Sequence, residues 1–288
     1  PLFLNNQAMK FVFFGYDFSL NALMRLVMDG HELIALYTFP CDGVFSHNTQ
    51  IKMFAESLNI VPIEGKITPQ ETDSLIAQGA QAFIAFGYKY KIPPVDPKKA
   101  YAINVHPALL PRVRGIMPMP FILLKEPKAA GITVHKMTQK YDAGDILYQE
   151  PFPVDDSTDI EVLSSRCALA GAEILSAILK DLPRYWKQAK PQNEKLASEY
   201  AEPGNDLRTF DWKKPVKELL RTNRAFGHYG CLAVVDGKKL IVTNCNGWEE
   251  KHGLDPGTIA CILPYELIIA ASDGFICLKE FIILPGPA

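Results

Sequence analysis

Two rhythms of apolar and polar positions alternate along the first half of the chain. Short apolar runs at 10–14, 32–37 and 82–86 read as buried strands, and a strand end is expected at 60–63. Between them Leu20, Leu23, Met24 and Val27 fall on one helical stripe, with Ser19 or Asp17 as its cap and Asp29-Gly30 as its end. Further helices are expected at 49–58 and 69–78. Strand and helix alternate roughly every 20–25 residues, which predicts a mostly parallel, Rossmann-like sheet with helices on both faces.

Beyond residue 98 the pattern continues with a short strand at 99–103, stopped by Pro107-Ala-Leu-Leu-Pro111, and a period-two strand at 131–137. A β-like stretch follows at 146–152. Ser157 and Thr158 are the expected caps of a helix running to about residue 179. Ile160, Leu163, Cys167, Leu169, Ile174, Leu175 and Ile178 form its core side, and Asp181-Leu-Pro183 ends it. Polar, Pro- and Gly-containing residues 183–209 read as a linker. A helix at 215–226 then precedes short strands at 231–235, 240–243, 257–263, 267–270 and 275–278, with hairpin turns at Asp236-Gly237 and Asp273-Gly274. The expected division is a catalytic α/β domain at 9–182, the linker, and a small β-rich domain at 210–288.

Composition narrows the class. The chain has 288 residues, 48% hydrophobic and 22% charged, which is a globular balance. Its six cysteines are scattered without Cys-x-x-Cys or zinc spacing, so no metal site is expected and a reducing cytoplasm fits. No run of about 18 apolar residues is evident, and residues 1–8 do not form a signal peptide. Met9 directly precedes the first strand and is the expected native start, which makes 1–8 a remnant of expression. The net charge of −2 disfavours a broad grip on a polyanion. Lys213, Lys214, Lys217, Arg221 and Arg224 read as a solvated helix face.

Candidate chemistry concentrates in one stretch. Asn104 and His106, two apart at a strand end, point the same way. Asp142, followed by Ala143-Gly144, completes a possible three-part polar site. Open α/β sheets bind ligands at the carboxyl ends of their strands, where the Gly15 turn, the 87–94 loop and this pair all fall. No Gly-x-Gly-x-x-Gly follows the first strand, so nothing supports a nicotinamide site. His31 and His135 read as ordinary sheet or surface residues.

Three blocks carry a family resemblance: Asn104-Val-His-Pro-Ala-Leu-Leu-Pro-Arg-Val-Arg-Gly115, Gly131-Ile-Thr133 and Asp142-Ala-Gly-Asp-Ile146. Together they resemble the core signature of the formyltransferases that use 10-formyltetrahydrofolate. Phe210-Asp-Trp212, Arg224-Ala-Phe226, Pro256-Gly257-Thr258 and Asp273-Gly274 are similar to the C-terminal, OB-like domain of the methionyl-tRNA and amino-arabinose members. The resemblance implies a formyltransferase fold with 10-formyltetrahydrofolate as donor and Asn104, His106 and Asp142 as catalytic residues. Asn104 and His106 would donate to the tetrahedral oxyanion. Asp142 would fix the imidazole tautomer, favour its cation, and receive the proton lost by the amine. No nucleophilic Ser or Cys is expected.

By the same resemblance the 87–94 loop lines the pterin pocket, with Tyr88, Tyr90 and Ile92 as binding candidates that read equally as packing. Gly144 fits close approach to a ligand or a positive φ, and equally a plain turn. Arg112 and Arg114 order the loop in preference to meeting an acidic ligand. The loop at 41–49 has no Lys or Arg, unlike the basic insert of the tRNA enzymes. Tyr16 and residues 116–119 also depart from their pattern. A nucleotide-linked amino sugar is the leading acceptor. Methionyl-tRNA formyltransferase is the alternative, formyltetrahydrofolate hydrolase the second, and a folate-binding protein without turnover the last. Transfer RNA is disfavoured but stays open, as does a homodimer. The sugar and the nucleotide are not legible.

Overall fold

The computed structural model describes residues 8–41 and 46–287. The readings made on 1–7 and on 42–45 lie outside the described residues. The chain divides into two compact units. The first comprises residues up to 116, 129–152 and 164–199, and the second 117–128, 153–163 and 200 onward.

The first unit is built on a seven-stranded sheet. Its strands are β1 (Lys10–Gly15), β2 (Glu32–Thr38), β3 (Ile63–Glu64), β4 (Ala82–Phe86), β5 (Tyr101–His106), β6 (Gly131–Lys136) and β7 (Ile146–Pro151), in the order β3-β2-β1-β4-β5-β6-β7. The pairings from β3 through to β5 are parallel, and β5–β6 and β6–β7 are antiparallel. Unbroken apolar runs suit strands buried on both faces, and β1 and β4 are buried almost throughout. The helices α1 (Leu20–Met28), α2 (Thr49–Ser57) and α3 (Pro69–Ala77) connect the parallel strands. Thr68 and Glu71 close a reciprocal capping box at the start of α3. Asp17 does not cap α1. Its carboxylate accepts the Ile51 main-chain N–H in the first turn of α2 at 2.8 Å, tying the loop after β1 to the next helix.

The helix α4 (Pro118–Leu124) was not anticipated, because its first three residues are Pro118, Met119 and Pro120, which obscure the period. The long helix α5 (Ile160–Leu179) follows β7. By length and composition it is the single described helix apolar enough to cross a membrane. Half of it is buried inside the molecule, with Leu163, Cys167 and Leu175 fully so, and it serves as a core helix. Leu169, expected on the core side, is exposed instead. Asp181 and Pro183 do more than end α5. Asp181 caps α6 (Leu182–Gln188), and Pro183 sits in its first turn, where a missing N–H costs nothing.

Residues 190–199 are hydrogen-bonded to the first unit. Lys190 pairs with Ile146, and Arg114 with Glu199. The second unit contains α7 (Asn205–Arg208), α8 (Val216–Phe226) and the strands β8 (Cys231–Val235), β9 (Lys238–Glu249), β10 (Ile259–Ile262), β11 (Leu267–Ala270) and β12 (Gly274–Pro287). They form an antiparallel sheet in the order β10-β11-β12-β9-β8, the small β-rich domain that the resemblance implied. Asp236 and Gly237 both take positive φ, as a two-residue hairpin of this kind requires. Phe226, Leu219, Val242 and Ile276 lie in its core.

Gly171 sets the distance of α5 from the sheet. A Cβ there would lie 2.4 Å from the ring of the fully buried Phe86. Gly171→Ala gains about 1 kcal/mol of helix propensity, while overpacking costs about 1–3 kcal/mol. Urea unfolding of this variant is expected to show a net loss of stability; a net gain would mean that α5 can shift without cost.

Candidate active site

The register of β5 against β6 brings the polar side chains together. Asn104 lies directly opposite His135 in this antiparallel pair. Asn104 Nδ2 is 3.0 Å from His135 Nε2 and 3.2 Å from Asp142 Oδ1. His135 Nδ1 lies 2.8 Å from the Lys136 carbonyl. A carbonyl only accepts, so Nδ1 carries the proton and Nε2 is left to accept from Asn104. Both amide hydrogens of Asn104 are therefore committed within the protein.

Asp142 arrives from the β6–β7 loop at φ +50°, a left-handed conformation that Asp tolerates better than most residues. It is 8% exposed. Its Oδ2 accepts the Gly115 main-chain N–H at 3.0 Å and lies 3.6 Å from His106 Nδ1, and its Oδ1 lies 3.4 Å from His135 Nε2. Burial opposes its charge, but the imidazoles of His106 and His135 in their protonated form, together with the Gly115 N–H, outweigh burial and hold the carboxyl well below the usual range.

His106 is almost completely buried, and its Nε2 donates to the Val113 carbonyl at 2.8 Å. The Val113 carbonyl thus sets the tautomer expected of Asp142. Burial pushes the imidazole pKa down, against the pull of Asp142. These directions compete, since a charged His106 would help ionise Asp142. The carboxylate is ionised beside a neutral His106 ring. Asp142 keeps neutral N–H donors from Asn104 and Gly115 whatever the state of His106. The 3.6 Å gap also exceeds a charge-assisted bond of about 2.7–2.9 Å.

The surrounding motif residues hold this geometry. Thr133 Oγ1 donates to the Ala108 carbonyl and accepts from Leu110 N and Gln149 Nε2, which pins the loop after β5. Val113 has φ +55°, a strained value for a β-branched residue. Ser198 supports it by accepting the Val113 N–H, and its carbonyl accepts that of Arg114. Arg114 is 1% exposed and pairs with Glu194 and Glu199, so it orders the loop.

The expected cofactor residues fall on two loops, at 87–94 and at 142–144. The Tyr88 ring packs 5.2 Å from Phe14, and its hydroxyl donates to the Gly65 carbonyl. Ile92 packs against the same core cluster. Tyr90 stands edge-on to Tyr88 beneath Lys66 and Lys89. Among the described residues no main-chain-to-main-chain hydrogen bond engages residues 88–93. Lys91 lies over Tyr141, linking this loop to the Asp142 turn. Gly144 has no positive φ. Its Cβ would fall 1.9 Å from the Lys136 carbonyl, so its close approach is to its own chain. His135, read from sequence as an ordinary residue, belongs to the cluster. Only the strand register reveals it.

The family follows from comparison. The formyl transferase profile matches residues 64–179 and the formyl transferase C-terminal domain profile matches 205–284, together about two thirds of the chain. The chain belongs to the formyl transferase family. The methionyl-tRNA formyltransferase of Treponema denticola is 37% identical over 149 residues, 51% of this chain and 46% of that one. The enzyme of the same name from Streptococcus pneumoniae is 28% identical over 285 residues, 94% of this chain and 90% of its own. HypX from Aquifex aeolicus, in complex with tetrahydrofolic acid, superposes with a TM-score of 0.70 at 21% identity, over 97% of this chain and 46% of that one. The sugar 3N-formyl transferase WlaRD, solved with dTDP and 5-N-formyl-THF, gives 0.64 at 18% identity, over 97% and 99%. This chain thus spans about half of HypX, and the two structures bear on its fold.

The low pKa of Asp142 makes a pH prediction. Its folded value lies below the unfolded one of about 3.9. Its charge therefore contributes stability above that value, lost as pH falls through the folded value. Asp142→Asn keeps a residue that tolerates left-handed φ and cannot titrate. The stability gap between wild type and this variant is expected to be full at neutral pH and to narrow only below the ordinary carboxylate range. A gap that closes between pH 5 and 7 would contradict the assignment.

Proposed function

We propose that the chain transfers a formyl group from 10-formyltetrahydrofolate to a primary amine, that of a nucleotide-linked amino sugar. The observation that carries this reading is the buried Asp142 carboxylate held by Asn104 Nδ2 and Gly115 N at the carboxyl end of β5. The 87–94 loop, which follows β4 and meets the Asp142 turn where Lys91 lies over Tyr141, would hold the pteridine.

The order of proton steps follows from the carboxylate. A group held at low pKa is a poor base for a neutral amine. Attack on the formyl carbon leaves a cationic nitrogen, which is far more acidic and gives its proton to Asp142 directly or through water, and that proton passes to the folate nitrogen as its bond to the formyl carbon breaks and tetrahydrofolate leaves. The tetrahedral oxygen needs a donor, and the resting donors are occupied. Asn104, partly exposed, is the one able to exchange a partner for it. Asn104→Ala and Asp142→Asn are each expected to lower turnover by about a hundredfold or more. Near wild-type rates at saturating amine would refute these roles.

The acceptor reading rests on the net charge of −2 and on the absence of Lys or Arg at 41–49. A tRNA acceptor calls for several phosphate contacts, whereas a sugar nucleotide needs a small pocket with few polar groups. The sequence relatives named methionyl-tRNA formyltransferase favour tRNA as the second reading. Formyl transfer at physiological salt to charged initiator tRNA and to a panel of amino-sugar nucleotides separates the two. Transfer is expected to a sugar nucleotide; transfer to the tRNA alone, with steep salt dependence, would establish the second reading.

A further inference from the structure

Residues 190–199 read from sequence as part of a linker, yet one side chain among them reaches the turn that carries Asp142. Gln192 Nε2 donates to the Asp142 carbonyl at 2.7 Å and to the Gly144 carbonyl at 2.8 Å. Its Oε1 accepts from Arg114 Nη2 at 2.6 Å and from Nε at 3.3 Å. All four hydrogen-bonding positions of the amide are therefore used. Two carbonyl oxygens that converge on one point repel each other unless a donor lies between them, and this amide is that donor.

The arrangement joins both loops of the site. Arg114 stands between Val113, whose carbonyl holds His106, and Gly115, whose N–H holds Asp142 Oδ2. Glu194 grips the same guanidinium through both of its oxygens, at 2.6 and 3.0 Å. The Asp142 main chain, at φ +50°, has little reason to stay left-handed unless its carbonyl is satisfied there.

We propose that Gln192 is a positioning residue for the Asp142 carboxylate, acting through the main chain of the 142–144 turn and itself held by Arg114. This rests on reading Asp142 as a catalytic group. A merely structural Gln192 would staple residues 190–199 to the first unit without affecting turnover of the folded protein. Gln192→Glu distinguishes the two. It keeps the size and the acceptor for Arg114, adding a charge pair that preserves the staple. It also sets a carboxylate oxygen against two carbonyl oxygens, which removes the clamp.

The test uses the full chain. Steady-state rates with 10-formyltetrahydrofolate and the active amine are measured for wild type, Gln192→Glu, Gln192→Ala and Asp142→Asn, alongside a crystal structure of Gln192→Glu. Both Gln192 variants are expected to lose about ten- to a hundredfold in kcat, as misplacement by about 1 Å does. The KM for the folate is expected to stay within about threefold. In the crystal, Asp142 is expected to leave its contacts with Asn104 Nδ2 and Gly115 N. A wild-type kcat in Gln192→Glu, a change confined to KM, or a fall in kcat with the Asp142 turn unmoved would each overturn the proposal. If Asp142→Asn keeps the wild-type rate, the reading of Asp142 as catalytic fails, and the crystal structure alone then decides whether Gln192 places the turn.

Discussion

An ionised carboxylate almost out of water is the constraint around which the first unit is arranged. A buried charge is costly unless every lone pair has a partner. The donors to Asp142 come from β5 and from the loop beyond Pro111, and His135 of β6 fixes the Asn104 amide that donates. No single element supplies the set, so the carboxylate is held only when strand register and loop path are both right. That dependence makes the site a sensitive reporter of the fold.

The switch from parallel to antiparallel pairing at β5 is what makes the set possible. A parallel β4 puts Ala85 beside Asn104, and the antiparallel β6 puts His135 there. The same β6 places Thr133 across from His106, where its hydroxyl ties down the loop after β5. The Gly-Ile-Thr block thus belongs to the site through its hydroxyl, one strand away from the Asn-x-His pair.

Asn104 and His106 were legible because a strand has a strict period of two and a proline run marks its end. Asp142 was legible only by resemblance, since no local pattern joins residues 40 apart. His135 stayed hidden because period two says that it alternates with Val134, and nothing says what lies across from it. Gln192 was obscured differently. A polar, Pro-containing stretch has the composition of a linker whether it floats or bonds to carbonyls, and composition cannot see hydrogen-bond partners. Leu169 fell on the apolar stripe of α5 and is exposed, because the stripe fixes a face only to within a residue or two at its margin. The buried strands β1 and β4, by contrast, needed no partner to be recognised.

The resting hydrogen bonds also bear on how the proposed reaction would proceed. Asn104 gives one amide hydrogen to His135 and one to Asp142, and His106 gives its Nε2 hydrogen to Val113. The donors are thus oriented but occupied. A formyl oxygen entering the site competes with partners inside the protein, and it gains most when it becomes an oxyanion, because a full negative charge strengthens a hydrogen bond roughly twofold. A neutral carbonyl gains much less from the same exchange. The energy of these internal hydrogen bonds therefore weighs more heavily against the ground state than against the tetrahedral state, which is the direction that differential binding requires for catalysis.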